Sequence, residues 1–321
     1  MENNVQLKEA FNRVEVVGIL AEKKLEIKNF NGKDAITGEL VIKTGESSFI
    51  KMKVFTNRLK TDGTENKVFI GLNTVMNEYK SIAETGNEEE ADKVQAVGKL
   101  SEGKPFLNQN TGEVVVALAN QLSFISRVTN LATYEPKAKW QGEVFVQNYK
   151  VEMKKNGEEL EETGRKLMNV VVPVYGGKVF PMTLILEEEG AEWFEDNVEK
   201  GSTIKVYCDL VNKTEKIVQG STSGGFGKKE PQVFTRVINE RVVTGADDAY
   251  PTYEEGEESQ KAYNPQVITQ ALAVREQIIE ETKNETPSTS TSSTHKTSFG
   301  GSTKTSSSPQ QEEEYDSDIP F

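Results

Sequence analysis

Phe49-Ile50-Lys51-Met52-Lys53-Val54-Phe55 places Ile50, Met52 and Val54 on one side of an extended chain, and Phe49, Lys51, Lys53 and Phe55 on the other. Alternate side chains of a strand point to opposite faces, so the stretch predicts a strand with one buried and one exposed face. The flanking sequence has the same period-two grain, broken by Gly, Asn and Asp turns. It predicts strands over 11–20, 35–43, 48–56, 93–101 and 113–125, with a helix over 73–84. A second set follows over 140–151, 166–175, 178–186, 203–211 and 232–243, with a helix over 189–198. Five short strands and one helix per half predict two small closed barrels. The halves share layout rather than residues: Val14 and Val16 correspond to Val144 and Val146, and Gln95-Ala96-Val97-Gly98-Lys99-Leu100 to Lys205-Val206-Tyr207-Cys208-Asp209-Leu210.

The 321 residues leave room for two such domains and a tail, expected at 1–130, 131–245 and 246–321, with a linker over 130–139 around Pro136. The net charge of −13 is unevenly spread: the three segments carry 17, 16 and 5 basic against 18, 18 and 15 acidic side chains. Most of the acidity lies in the tail, and both bodies are close to neutral. Thr286 to Gln311 is Ser/Thr/Pro/Gln-rich and reads as disordered. Within the tail, Val267, Ile268, Ala271, Leu272, Val274, Ile278 and Ile279 recur at helical spacing and predict a helix over 265–283, either docked on a barrel, paired with its copy or bound to another protein.

No apolar run approaches the roughly 18 residues of a spanning helix, and Met1-Glu2-Asn3-Asn4 lacks the basic and apolar regions of a leader. The expectation is a soluble cytoplasmic protein with no membrane partner. One cysteine, Cys208, and one histidine, His295, exclude an internal disulfide framework and a Cys/His zinc cage and leave little for triad chemistry. Glu187-Glu188-Glu189 and Glu88-Glu89-Glu90 read as solvated charge runs. No catalytic residue, metal or cofactor is expected, and the chain reads as a non-enzyme.

The outward row Phe49, Lys51, Lys53 and Phe55 spans roughly 20 Å and suits a single strand of nucleic acid. Bases stack on rings for about 1–3 kcal/mol each while ammonium groups meet phosphates. The competing reading is an ordinary sheet, with Phe49 and Phe55 filling a second small core and lysine stems reaching round them. Lys104 and Phe106 add a cation and a ring in a loop. In the second half Phe145, Gln147 and Tyr149 share one expected face, and Lys205 and Tyr207 another, opposite Ile204, Val206 and a buried Cys208. Trp140 and Trp193 are stackers by residue type, although Trp193-Phe194 in an amphipathic stretch reads as packing against the barrel. Gly220 to Lys229 forms an arm with Phe226 at its tip, either folding over a bound strand or solvated. It lacks the P-loop spacing.

Several segments resemble the bacterial single-stranded DNA-binding protein family. Asn12-Arg13-Val14-Glu15-Val16-Val17-Gly18-Ile19-Leu20 is similar to its first strand. Phe49 and Phe55 stand at stacking positions of its third, with Phe106 near another. Val97-Gly98-Lys99-Leu100 and Asn120-Gln121-Leu122-Ser123-Phe124 resemble its last strands, and Lys200 to Val206 its helix-to-strand turn. Asp316-Ser317-Asp318-Ile319-Pro320-Phe321 resembles its partner-binding tip. The resemblance gives each five-stranded Greek-key barrel an OB-fold, so that the all-β chain reads as two tandem OB-folds followed by a disordered acidic tail, whereas members of the family usually have one barrel and assemble as tetramers. It implies single-stranded DNA binding that includes Arg13, and recruitment of replication, recombination and repair proteins through Asp316, Asp318, Ile319, Pro320 and Phe321. The apolar ends of that tip could fill a pocket while acidic residues steer it to basic partners. A homodimer presenting four barrels is implied, with a monomer as the alternative. The length and divergence suggest a phage or plasmid version. The family's tryptophans are replaced here by phenylalanine or missing. A scaffold whose barrels bind proteins is the rival from another class.

Overall fold

Strict alternation in β3 (Ser48–Asn57) buries Ile50, Met52, Val54 and Thr56 and turns Phe49, Lys51, Lys53 and Phe55 outward. In the computed structural model, residues 7–156, 159–219, 232–256 and 260–284 are described. Phe226, His295 and the tip Asp316, Asp318, Ile319, Pro320 and Phe321 lie outside them, as does the stretch read as disordered.

The first half contributes β1 (Asn12–Phe30), β2 (Lys33–Gly45), β3, α1 (Lys67–Glu78), α2 (Ile82–Thr85), β4 (Lys93–Glu102), the short β5 (Phe106–Asn108) and β6 (Glu113–Val115), and β7 (Leu118–Arg127). Pairing closes a ring. β1, β2 and β3 form an antiparallel meander, β3 meets β7 in parallel at Met52↔Asn120, β7 pairs β4, and β4 returns to β1. The second half repeats this circuit with β8 (Lys137–Asn156), β9 (Glu159–Val174), β10 (Lys178–Leu186), β11 (Thr203–Gln219) and β12 (Gln232–Ala246), including the parallel step Ile185↔Val242. α3 (Glu188–Asn197) again lies between the third and fourth strands. Two five-stranded closed circuits of this order are tandem OB-folds, and the chain is predominantly β.

The barrels share a continuous sheet. Residues 12–17 of β1 pair antiparallel with 137–142 of β8, so the second barrel's first strand begins inside the stretch read as a linker. Trp140 sits at this seam between Val14 and Cys208 with no solvent exposure. Its Nε1–H donates to Asn12 Oδ1 at 2.9 Å, and Asn12 also clasps the backbone of Leu100 through N–H···Oδ1 (3.0 Å) and Nδ2–H···O (2.7 Å). Gly142 is obligatory beside it, since a Cβ there would lie 2.2 Å from the indole ring.

Several element boundaries differ from expectation for identifiable reasons. β1 runs on to Phe30 through a bulge after Leu20, in a charged stretch whose apolar alternation is weak. The helix expected over 73–84 is two: α1 starts earlier, with Asn66 Oδ1 accepting from Val68 N–H and Phe69, Leu72 and Val75 facing the core. α2 follows with Ser81 bonded to Glu84. Beyond β12 the chain folds back over the second barrel and enters α4 (Pro265–Asn284). α4 buries Ile268 and packs Val267, Ala271 and Leu272 on the core, leaving Val274 and Ile278 exposed. Among the described residues no helix is long and apolar enough to cross a membrane.

Candidate nucleic-acid interface

Register determines what surrounds the β3 row, because directly opposite residues share a face. Lys43 faces Phe49, Glu39 faces Lys53 and Thr37 faces Phe55. Phe30, at the end of β1, brings its ring centroid to 5.8 Å from that of Phe55, and Lys43 Nζ lies 5.9 Å from the Phe49 ring. Rings therefore stand at both ends of the row with ammonium groups between. The same register interleaves carboxylates: Lys51 pairs Glu39 at 3.6 Å, Lys24 pairs Glu22 at 2.9 Å, Lys28 pairs Glu26 at 3.0 Å, and Lys43 pairs Glu88. Exposed pairs of this kind contribute about 0–1 kcal/mol, so an incoming phosphate can displace a glutamate at little cost. The face is charge-balanced rather than basic.

The β5–β6 ribbon, in the connection from β4 to β7, carries Phe106, paired with Val115 and 41 % exposed, with Lys104 exposed before it. α4 packs on the ribbon, and Arg275 makes a two-pronged contact with Glu102 at its base (2.6–3.1 Å).

The second-half candidates divide. A bulge at Gln147 reverses the alternation of β8, so Phe145 and Tyr149 do not share a face. Phe145 points outward, yet the row Val171–Phe145–Thr203 is buried. The returning chain lies over it, with Tyr263 N–H donating to Thr203 Oγ1 at 2.9 Å. Tyr149 turns inward opposite Met168. Its hydroxyl donates to Val198 O at 3.0 Å and is pushed up to about 12 by burial. Neither ring can stack on a base. α4 also lies against β10, the counterpart of β3, whose outward Val179, Pro181, Thr183 and Ile185 offer no cation or ring. Trp140 is buried. Trp193 is 39 % exposed instead of packed, because Ala191, Phe194 and Val198 already fill the α3 face turned to the barrel. Cys208 is buried as expected, its thiol pushed up by burial.

Lys205 and Tyr207 do form a patch, and Arg13 joins them. The pairings Arg13↔Gln141 and Gln141↔Tyr207 set Arg13 and Tyr207 in one row, and Lys205, opposite Glu143, lies two residues before Tyr207 on β11. Lys205 Nζ lies 4.7 Å from the Phe11 ring and 5.3 Å from the Tyr207 ring, and Tyr207 donates to Asp247 at 2.9 Å. Phe11, Phe30 and the 60 %-exposed Phe124 were not singled out from the sequence. Phe30 and Phe11 follow runs whose register only pairing reveals, although exposed aromatics beside lysines are the signal that could have marked them.

The chain matches YorF in sequence over residues 10–285. It belongs to the YorF family. The matched span takes in both barrels and α4, so in this YorF chain the docked helix is part of the family unit. The agreement with the family expected from sequence is one of fold, carried by the two strand circuits. Similar solved structures include the wild-type single-stranded DNA-binding protein from Thermus aquaticus (10 % identity, TM-score 0.42, covering 78 % of this chain and 98 % of that one). A deletion mutant of the same Thermus aquaticus protein is also similar (11 %, 0.41, 78 % and 99 %). No curated protein matches the chain in sequence.

The clasp that closes the YorF unit centres on Glu143, which accepts from Phe11 N–H (3.1 Å), Tyr250 Oη–H (2.7 Å) and Tyr263 Oη–H (3.3 Å). Burial works to raise its carboxyl. The Tyr250 and Phe11 bonds, the Lys8 charge and the Tyr263 bond outweigh it and hold the group below its ordinary 4.5. A carboxylate depressed in the folded state stabilises above its unfolded pKa, and that contribution is lost as pH falls through the folded value. Glu143→Gln is expected to cost about 1–3 kcal/mol at pH 7. In thermal melts the gap from wild type should narrow as pH drops below about 4.5.

Proposed function

We propose that this YorF chain is a non-catalytic protein that binds and coats single-stranded DNA in replication, recombination and repair. The observation that carries the reading is the outward row Phe49, Lys51, Lys53 and Phe55 on the β2–β3 face of a closed OB barrel. Barrels of this type hold oligonucleotides on that face and with the connection in which the Phe106 ribbon lies. The first barrel is the main platform, since α4 lies against the corresponding strand of the second. Arg13, Lys205, Tyr207 and Phe11 offer a smaller continuation. Recruitment of partner enzymes through Asp316 to Phe321 rests on the sequence of that segment.

A fluorescence-anisotropy titration of labelled oligo(dT) at two salt concentrations, with duplex of equal length as competitor, tests the proposal. Binding that duplex does not displace, and that weakens with a log–log salt slope of about −0.7 per phosphate engaged, is the expected result. Absence of binding would favour the scaffold reading, in which the barrels hold proteins. The interleaved Glu22, Glu26 and Glu39 are the observation on that side.

The structure also fixes where a tail deletion must begin. Tyr250 and Tyr263 bond to Glu143, and α4 packs Val267, Ala271 and Leu272 on the core, so removing everything after 245 would strip the Glu143 clasp. Deleting 285–321, which carries six acidic and two basic side chains, is expected to raise oligo(dT) affinity at low salt and to leave it unchanged at high salt. Equal affinities at low salt would refute competition by the tail.

A further inference from the structure

The β11–β12 hairpin extends beyond its own barrel and lies across the first. Lys213 bridges Ser48 of β3, and Thr214 N–H donates to Ser47 O at 3.2 Å. Between hairpin and barrel is a cavity of about 180 Å³, room for roughly six waters. One wall is the outward side of β3, with Lys51 and Lys53, together with Asn120 from the start of β7. The other is the inward side of the hairpin, with Arg241, Asn239 and Asn212. Glu39, 3.6 Å from Lys51, is the one carboxylate in the lining, so the lining carries three cations against one anion.

Arg241 is anomalous in this setting. It stands opposite Leu210, on the side of β12 that faces inward. Its Nε is closed off from solvent and finds no hydrogen-bond partner among the described residues, and Asn120 Oδ1 is left unpartnered in the same way. Burial works to lower the guanidinium pKa, the neighbouring Cys208 works the other way, and Glu39, the carboxylate of the lining, is paired with Lys51. A charged donor N–H closed off from water without a partner costs stability, and the guanidinium's fork of donors matches phosphate oxygens. A position that holds such a group at a cost is one that a ligand completes.

We propose that this inter-barrel cavity is a phosphate-binding site, with Arg241 as its central donor and Lys51 and Lys53 opposite. A bound strand would pass there from the first barrel to the second barrel's hairpin. That route rests on the strand-binding reading above, whereas the phosphate chemistry does not. An entering phosphate takes over the Lys51–Glu39 pair and the open donors of Arg241.

The test uses the full chain with Arg241→Met and Arg241→Lys, oligo(dT) of about 8 and about 30 nucleotides, and inorganic pyrophosphate as a base-free probe. Arg241→Met should melt at or above the wild-type temperature. It should bind the longer oligomer about ten-fold more weakly, with a salt slope smaller by about 0.7, while Arg241→Lys recovers the slope but not the full affinity. Wild type that binds oligo(dT) with affinity and slope indifferent to Arg241→Met would overturn the site and leave the proposed function standing. If wild type binds no oligo(dT), but pyrophosphate raises its melting temperature and not that of Arg241→Met, the site takes free phosphate and the proposed function falls. No response to either ligand, or a lowered melting temperature in Arg241→Met, assigns Arg241 to packing and overturns the inference.

Discussion

Trp140→Ala is expected to destabilise the protein by about 3–5 kcal/mol and to do so for both barrels together. Truncation leaves a large void at a position with no solvent exposure, and the neighbours cannot collapse into it. Val14 and Cys208 are pinned on either side by strand pairing, and Gly142 has no side chain to move inward. The mutation also removes the indole donor from Asn12, which holds Leu100 and thus β4 in register. A loss of this size is a large fraction of the roughly 5–15 kcal/mol that keeps a domain folded. Because β1 and β8 each serve their own barrel and each other, denaturant unfolding should shift as one transition. Two separated transitions, with only the second barrel affected, would show that the seam does not couple them. Trp140→Phe isolates the hydrogen bond: it keeps most of the volume, and Asn12 Oδ1 still accepts from Leu100 N–H, so its cost should be about 1–2 kcal/mol.

The seam also shows where sequence reading reaches its limit. Alternation in β3, β10 and the inner residues of β11 is visible residue by residue, because a half-buried strand must keep its apolar side chains two apart. The five-strand layout of each half follows from that alone. What alternation cannot supply is the partner of each strand. Glu39 became a neighbour of Lys53 only through β2–β3 register, which turned an apparently basic row into a charge-balanced one. Arg13, expected to bind the strand with no position assigned to it, stands in one row with Tyr207 because β1 and β8 pair across the barrels. Gln147 occupies a bulge that no local signal marks, and a one-residue slip was enough to invert Tyr149. Phe145 was lost differently: its face is outward, and a segment a hundred residues later covers it. Arg241 sits among apolar neighbours in Val-Ile-Asn-Glu-Arg-Val-Val at an inward position. That is the kind of local inconsistency which marks a functional position more often than an error.

Replacing both Phe49 and Phe55 by Ala is expected to weaken oligo(dT) binding by about 2–6 kcal/mol, from about 1–3 kcal/mol per lost stacking partner. That is a fall of between roughly thirty-fold and twenty-five-thousand-fold. The two contributions should nearly add, since six residues of extended strand separate the rings by about 20 Å, beyond the range of direct coupling. Folding should survive. Phe49 is already 37 % exposed, and the tilted contact of Phe55 with Phe30 is a matter of about 0.5–1.5 kcal/mol. The salt dependence separates stacking from general loss of the surface. Lys51 and Lys53 remain, so the slope of log affinity against log salt should stay at its wild-type value while the intercept drops. Lys51→Ala with Lys53→Ala should do the reverse, flattening the slope with a smaller loss at high salt. A double phenylalanine variant that folds and binds oligo(dT) as wild type would mean that the strand does not lie on the β2–β3 face. The exposed rings would then be left to a protein partner, for which the interleaved glutamates are as well suited as the lysines.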